Sequence, residues 1–284
     1  MLLCYRIRVW AFVVGSALFA LPVCVFAQSA STPGAIAFGR IPQQLAEPAV
    51  PADPLELVAG DAQPVRDVTQ RAETISLLMN AHRHGNVRTY AYDLKTRFTA
   101  FGSSGSDGSW QLEDVSPGTG VYRWTAQGPS YSAVNFYHNW VLYSNQPANS
   151  VPMRLVQARA AIFFTQTMLG PQASLRTAAA NFNGSELVCA LVSHAPMVKG
   201  ATGGRRWEEA EYCVDAKSSN LVTYSPVPGF YVLYDYANAV HFHDIVVANK
   251  FTITQAGRTI LEAQVDSVSD VSGDGGCSWN AVTE

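Results

Sequence analysis

Histidines are the first residues to consider, because imidazole can act as a base or bind a metal. His241 and His243 flank Phe242 in a segment with the pattern of a β-strand, which predicts both imidazoles on one face with Asp244 beside them. Two such imidazoles can hold a metal ion if a third ligand comes from elsewhere, and they can equally be solvent-facing strand residues. No third ligand with suitable spacing is visible in the sequence, so we predict no metal site.

The motifs of the large enzyme families are absent from the chain. There is no G-x-S-x-G nucleophile elbow, no H-E-x-x-H zinc motif, no Walker loop, no G-x-G-x-x-G after a strand and no C-x-x-C. We therefore predict a protein that is not an enzyme, with no catalytic residues and no cofactor. A hydrolase with an unrecognised site, centred on His241 and His243, is the alternative.

The cysteines indicate an oxidising compartment. Cys189 lies in the apolar run 187–192 and Cys213 lies in a second strand-like segment, 211–214, with a glycine-rich loop between the two. Two strands joined by such a loop can bring these thiols within disulfide reach, so we predict a disulfide between them. Two separate buried thiols are the alternative, since free cysteine packs as a small hydrophobe. The role of Cys277, in a Gly- and Ser-rich tail, is left open.

Aromatic residues crowd the first predicted run of strands, residues 90–143. Aromatic faces of a curved, unclosed sheet can line an apolar ligand cavity, and they can equally form a packed core against helices. The residues that we predict to line such a cavity are Tyr92, Trp110, Tyr122, Trp124 and Phe163.

The charge of the chain excludes a nucleic-acid partner. Removal of residues 1–27 takes away two arginines and no acids, so the formal charge of −3 becomes −5 in the mature chain. No basic cluster is present to bind phosphates. One mixed cluster is interpreted as a solvated loop surface: Arg205, Arg206, Glu208, Glu209 and Glu211.

The N-terminus has the features of a secretion signal. Arg6 and Arg8 precede the uncharged apolar stretch 9–26, which ends at Ala27 with the small residues that signal peptidase prefers. An uncleaved anchor and a lipoprotein signal with Cys24 as the acylated residue are alternatives. We predict an exported protein of the periplasm or cell envelope, whose membrane contact is made only through this N-terminal segment.

The mature chain is predicted to have three parts. Residues 28–65 contain six prolines and few aromatics, which is typical of a disordered linker. Residues 66–268 form one β-rich domain, and residues 269–284 form a flexible tail rich in Gly, Ser and Asp.

Periodicity predicts an α+β domain with antiparallel strands. Apolar residues at three- and four-residue steps predict helices over 65–84 and 152–168. Alternating patterns bounded by Gly and Pro predict the strands around 87–98, 109–115, 121–126, 131–143, 187–192, 210–215, 219–225, 229–235, 240–248, 250–254 and 258–265.

The order of these elements is similar to that of a known bacterial domain. The residues that carry the similarity are Gly108-Ser109-Trp110, Ser116-Pro117, Tyr122-Arg123-Trp124, Glu211-Tyr212-Cys213-Val214-Asp215, Tyr234-Asp235-Tyr236, Thr252-Ile253-Thr254 and Glu262-Ala263. Over about residues 66–268 the chain resembles the lipoprotein-carrier (LolA/LolB-like) type domain, which is also found in some TonB-family energy-transducer proteins.

This resemblance implies a strongly curved antiparallel sheet, an unclosed half-barrel, with helices packed on its concave face. It implies a non-enzymatic envelope module that binds a lipid, an acyl chain or an envelope protein, and it supplies no catalytic residues. The Cys189–Cys213 pairing fits the energy-transducer version better, but no TonB domain follows Ser269, so coupling to an outer-membrane receptor is not expected. A structural or interaction domain of a TonB-like transport system is the alternative function.

Overall fold

The computed structural model describes most of the predicted domain. The described residues are 5–6, 62–102, 105–118, 120–138, 141–147, 150–163, 173–194 and 205–271. The predicted signal (apart from 5–6), most of the linker, Cys24, Cys277 and the tail beyond 271 lie outside them.

Two α-helices and sixteen strands form from these residues. The helices are α1 (Val68–Gly85) and α2 (Met153–Phe163). The strands are β1 (Tyr5–Arg6), β2 (Gln63–Pro64), β3 (Tyr92–Ala100), β4 (Gly108–Gly118), β5 (Val121–Gln127), β6 (Ser132–His138), β7 (Val141–Ser144), β8 (Ser174–Phe182), β9 (Ser185–Ser193), β10 (Ala210–Asp215), β11 (Leu221–Val227), β12 (Phe230–Asp235), β13 (Val240–Phe242), β14 (Ile245–Val247), β15 (Lys250–Gln255) and β16 (Arg258–Ser269).

Both helices occur where the apolar spacing predicts them. Asp67 caps α1, because its side chain accepts a hydrogen bond of 2.9 Å from the backbone N–H of Gln70. Helix α1 buries Leu78 and Ala81, which lie three residues apart on one face. Helix α2 buries Leu155, Ala158, Ala161 and Phe163.

Fourteen of the described strands form one antiparallel sheet that does not close. Their order is β1-β7-β6-β5-β4-β3-β16-β15-β12-β11-β10-β9-β8-β2, and the two end strands, of two residues each, do not pair with one another. The middle of the sheet is the pairing of β3 with β16, which joins the N-terminal strands to the C-terminal ones. The predicted α+β fold with an open antiparallel sheet is therefore confirmed.

Cross-strand register places both helices on the same face of this sheet. Paired residues share a face, and one row runs through Tyr212, Tyr224, Val232, Ile253 and Leu261. Tyr212 packs in a buried cluster with apolar residues of α1. Val232, Ile253 and Leu261 pack in a buried cluster with apolar residues of α2. We call this side the helix-covered face.

The predicted strand 87–98 begins later in the structure, and one strand of the structure was not predicted. Asn86 accepts a hydrogen bond from the Arg88 N–H and begins a 3₁₀ turn at Val87–Thr89, so Tyr90 precedes β3 instead of lying within it. Strand β8 was not predicted. It forms a hairpin with β9 through Asn183 and Gly184, whose φ angles of 50° and 81° are those of a tight hairpin turn.

The predicted strand 240–248 is two short strands. β13 and β14 pair with each other and are joined by a turn in which His243 has a φ of 54°. His243 therefore leaves the strand, and the prediction that His241 and His243 lie on one strand face is wrong. The turn forms because β13 ends at Phe242, which packs into a buried cluster with Ile245.

The Cys189–Cys213 disulfide lies on the face opposite the helices. The two cysteines are direct cross-strand partners of β9 and β10, with a Cα–Cα distance of 4.0 Å, and both are fully buried. Leu187, Leu191 and Ala62 complete the cluster around them. The structure thus contains the predicted disulfide.

Candidate functional site

An apolar cavity lies on the helix-covered face where the ends of the two helices meet. Ala81 and Gly85 of α1 and Ala161 and Ile162 of α2 line it from above, with sheet residues such as Phe251 below. Its volume is about 30 Å³. That is room for about two water molecules, whereas pockets that hold drug-sized ligands measure about 300–1,000 Å³. The cavity is therefore too small, as it stands, to hold a ligand of that size.

Tyrosines form the floor of this cavity. The Tyr234 hydroxyl donates a hydrogen bond of 2.8 Å to the carbonyl oxygen of Ala161, which ties the last turn of α2 to β12. Burial raises the pKa of Tyr234 and of Tyr236 well above the ordinary tyrosine range. Both phenols are therefore neutral at physiological pH, and the cavity carries no charge from them.

Helix α1 is held to the sheet by few side chains. Leu78 and Ala81 are its buried apolar residues, and Ile75 and Leu77 are half-buried. Full burial of a leucine-sized side chain contributes about 1.5–3 kcal/mol, so lifting α1 costs on the order of 5 kcal/mol. The outer side of the helix exposes apolar surface as well, since Val68 is 81% exposed.

A buried ion pair anchors α2 beside this cavity. Asp114 of β4 is fully buried on the helix-covered face, in the same alternating row as Trp110 and Leu112. Arg159 of α2 donates to it from Nε at 3.1 Å and from Nη2 at 3.2 Å. Burial raises the pKa of the Asp114 carboxyl, and the positive charge of Arg159 opposes that rise.

Aromatic rings and a second arginine surround this ion pair. The guanidinium carbon of Arg159 lies 4.3 Å from the ring centroid of Trp124 and 6.0 Å from that of Phe163. The guanidinium carbon of Arg88 lies 3.9 Å from the Phe163 centroid, and the charge of Arg88 opposes the rise that burial causes in the pKa of Tyr92. Cation–π contacts of this kind contribute about 0.5–2 kcal/mol each.

The five predicted cavity-lining residues lie on the helix-covered face but not around the apolar cavity. Tyr92, Tyr122, Trp124 and Phe163 gather near the Asp114–Arg159 pair, and Trp110 stacks on Phe98 at 5.5 Å. They are core or partly buried residues, and the described lining of the cavity includes none of them. Their role as ligand contacts stays a prediction.

The sequence reasoning missed Asp114, Arg159 and Arg88. A signal for the first was present, because the alternation Trp110, Leu112, Asp114 places a carboxylate in an apolar row of β4. Nothing in the sequence pairs Asp114 with Arg159, since the two lie 45 positions apart.

Several solved structures are similar to this chain, and two of them are described here, whereas no protein-family model and no curated protein matches it. One is a LolA superfamily protein from Nitrosomonas europaea, with 9% identity, a TM-score of 0.48 and coverage of 70% of this chain and 94% of that chain. The other is a domain described as an outer membrane lipoprotein-sorting protein, from Vibrio parahaemolyticus, with 9% identity, a TM-score of 0.42 and coverage of 74% and 96%. Neither similarity establishes a function for this chain, and the TonB-family part of the resemblance stays a prediction.

The charged cluster that follows Arg205 is buried, which corrects its interpretation as a solvated surface. Arg205 and Glu211 have fully buried side chains 3.6 Å apart, and Glu209 receives hydrogen bonds of 2.9 and 2.7 Å from Arg176. Only Glu208 is exposed, at 40% of its side chain. The cluster is buried because Arg176 and Ser174 of β8 and Ser225 of β11 supply its partners, and these contacts fasten residues 205–209 to the face opposite the helices.

The histidine cluster shows an aromatic contact and an ion pair. His243 stacks on Tyr90 at 4.4 Å and lies 2.8 Å from Asp270, while the Tyr90 hydroxyl donates to Asp244 at 2.6 Å. Within the described part of the chain, no group of three or more His, Cys, Asp or Glu residues is arranged to hold a metal ion. Neither of the two described helices is long and apolar enough to span a bilayer.

Proposed function

We propose that this chain is a non-enzymatic module of the cell envelope that binds a hydrophobic ligand, a lipid or acyl chain, between its sheet and its helices. The observation that carries the proposal is the apolar cavity at the junction of α1 and α2. Small residues, Ala81 and Gly85 on one helix and Ala161 on the other, leave this space unfilled. Open apolar space beneath a helix is a site that an alkyl chain can enlarge.

Ligand entry requires α1 to move, because the closed cavity is smaller than an alkyl chain. The helix is held mainly by Leu78 and Ala81, so its displacement costs on the order of 5 kcal/mol. Burial of a ten-carbon chain contributes about 0.8 kcal/mol per CH₂, or about 7 kcal/mol in all. The ligand therefore offsets the cost of opening, and binding and helix displacement are coupled.

Filling the cavity tests this proposal. We expect Ala81→Leu to weaken binding of N-phenyl-1-naphthylamine, an uncharged apolar fluorophore, at least tenfold, because the added methyl and methylene groups occupy the cavity. Ala72→Leu is the matched control, since Ala72 is exposed on the same helix. Fluorescence titration reports both affinities, and circular dichroism reports whether each variant folds.

If Ala81→Leu and Ala72→Leu bind the fluorophore with equal affinity, the ligand binds elsewhere on the chain. If the Ala81 variant does not fold, native mass spectrometry of the wild-type chain, with lipid extraction, decides the question. A chain purified from the envelope fraction that carries no lipid and binds no fluorophore contradicts the proposal.

The cellular setting is part of the same proposal. The predicted signal at 1–27 and the Cys189–Cys213 disulfide support export to the periplasm or cell envelope, where disulfides persist. Lipid, lipoprotein acyl chains and envelope proteins are the partners that this setting offers. Participation in a TonB-like transport system stays a prediction from the sequence.

A further inference from the structure

A second, open depression lies on the outer side of α2. Its volume is about 200 Å³, and its lining consists of two arginines and four apolar residues: Arg88, Val151, Val156, Arg159, Ala160 and Phe163.

The depression carries an uncompensated positive charge. Arg159 donates two of its N–H groups to Asp114. Arg88 is exposed and forms no salt bridge among the described residues, although its charge also acts to lower the pKa of Asp114, so two arginines share one carboxylate. Its guanidinium carbon is nevertheless held 3.9 Å from the Phe163 centroid, so the charge is fixed in place and not spread over many side-chain conformations.

Phe163 links this depression to the apolar cavity. Its ring forms part of the depression and also packs in the buried cluster that contains Val247 and Val265, both of which line the cavity. Ile162, the preceding residue, lines the cavity directly. The last turn of α2 therefore separates a cationic surface outside from an apolar space inside.

We propose that Arg88, with Arg159, binds the oxyanion head group of an amphiphile whose alkyl chain enters the cavity beneath the helices. The inference rests on the proposed function, and it adds the chemical class of the ligand: an alkyl chain attached to a carboxylate or phosphate. Guanidinium N–H groups match the two oxygens of such a head group. Phe163, Val151 and Val156 contact the first methylene groups beyond the head.

Paired ligands that differ only in the head group test the assignment. Decanoate and decanol are compared at pH 8 for displacement of N-phenyl-1-naphthylamine from the wild-type chain and from Arg88→Gln. Arg258→Gln is the matched control, since Arg258 is an exposed arginine at the β15–β16 turn. Inorganic phosphate is titrated alone by calorimetry to distinguish a free anion from a head group.

We expect Arg88→Gln to weaken decanoate binding about tenfold to a hundredfold, because the substitution removes one charge-assisted hydrogen bond. Decanol binding should be unchanged. Arg258→Gln should change neither. If Arg88→Gln weakens decanoate and decanol binding equally, or weakens neither, the head-group assignment is wrong. In that case the proposed function still stands as long as the wild-type chain binds the fluorophore. Phosphate binding as tight as that of decanoate, and lost in Arg88→Gln, overturns the assignment in favour of a free-anion site. Failure of the fluorophore and of both decyl ligands to bind refutes the proposed function itself.

Discussion

Breaking the Asp114–Arg159 pair measures how strongly α2 is anchored to the sheet. The Asp114 side chain is 1% exposed, that of Arg159 is 20% exposed, and Arg159 donates two hydrogen bonds to the carboxylate. Arg159→Met retains most of the side-chain length and removes the charge, so the carboxylate stays buried without its counter-ion. Removal of one partner of a buried pair costs about 3–5 kcal/mol, and we expect about 3 kcal/mol at pH 8 because Arg159 retains some contact with water.

The pH dependence of this deficit separates charge from packing. Burial raises the folded-state pKa of Asp114, and loss of Arg159 removes the charge that opposes the rise. A carboxyl whose pKa is higher in the folded state stabilises the fold fully at pH values below its unfolded pKa of about 4. This stabilisation is lost as the pH rises through the folded-state pKa. That folded value is higher still in the variant. The free energy of unfolding of Arg159→Met should therefore fall furthest below wild type at pH 8 and approach it at pH 5.

Urea unfolding at both pH values, followed by circular dichroism, checks this prediction. A deficit of 3 kcal/mol corresponds to a melting temperature lower by roughly 6–12 °C in a domain of this size. Arg97→Met is the control, since Arg97 also forms a two-point pair, with Asp266, but is 60% exposed and should show an unchanged urea midpoint. Adding Asp114→Asn to Arg159→Met should recover part of the loss. A deficit that is the same at pH 5 and pH 8, or no larger than that of Arg97→Met, refutes the reasoning.

Two further predictions concern the core. Replacing both Cys189 and Cys213 by alanine should lower the free energy of unfolding by about 3.5 kcal/mol, because the disulfide closes a loop with a sequence separation of 24. Urea unfolding measures the loss, and thiol labelling of both cysteines in the native wild-type chain would contradict the pairing. Gly128→Ala should cost about 1–3 kcal/mol and change the tryptophan fluorescence, because its Cβ would lie 2.4 Å from the Trp110 ring. Gly85→Ala, whose Cβ meets nothing within 4 Å, is the control, and equal stability of the two variants would argue against tight packing at Trp110.

Local patterns predicted the elements that neighbouring residues specify. The spacing of apolar residues predicts α1, and the Gln255-Ala256-Gly257 turn predicts the final hairpin, where Ala256 and Gly257 have positive φ angles. For the helix and the hairpin the information lies within about ten residues of the feature. The disulfide was also predictable, because both cysteines lie in strand-like runs of a chain with a predicted secretion signal.

Strand β8 was missed because its alanine-rich sequence has weak intrinsic strand preference, and pairing with the adjacent strand β9 defines it. The other missed features depend on partners farther along the chain. Arg205 is buried because Ser225, twenty positions away, accepts its hydrogen bond, so a charged loop pattern alone suggested a surface. The contacts of Arg88 and Arg159 with Phe163 join the 3₁₀ turn to α2. No spacing of residues within either segment predicts these contacts.

The pairing of β3 with β16 also governs when the domain can fold. Arg97 and Asp266, which pair across these strands, are 169 positions apart. The two halves of the sheet therefore join only when nearly the whole domain is available. Contacts this distant form slowly, because a long loop must close before they contribute any stability. A chain that folds late stays extended enough to pass through a membrane pore, which suits the export that we propose.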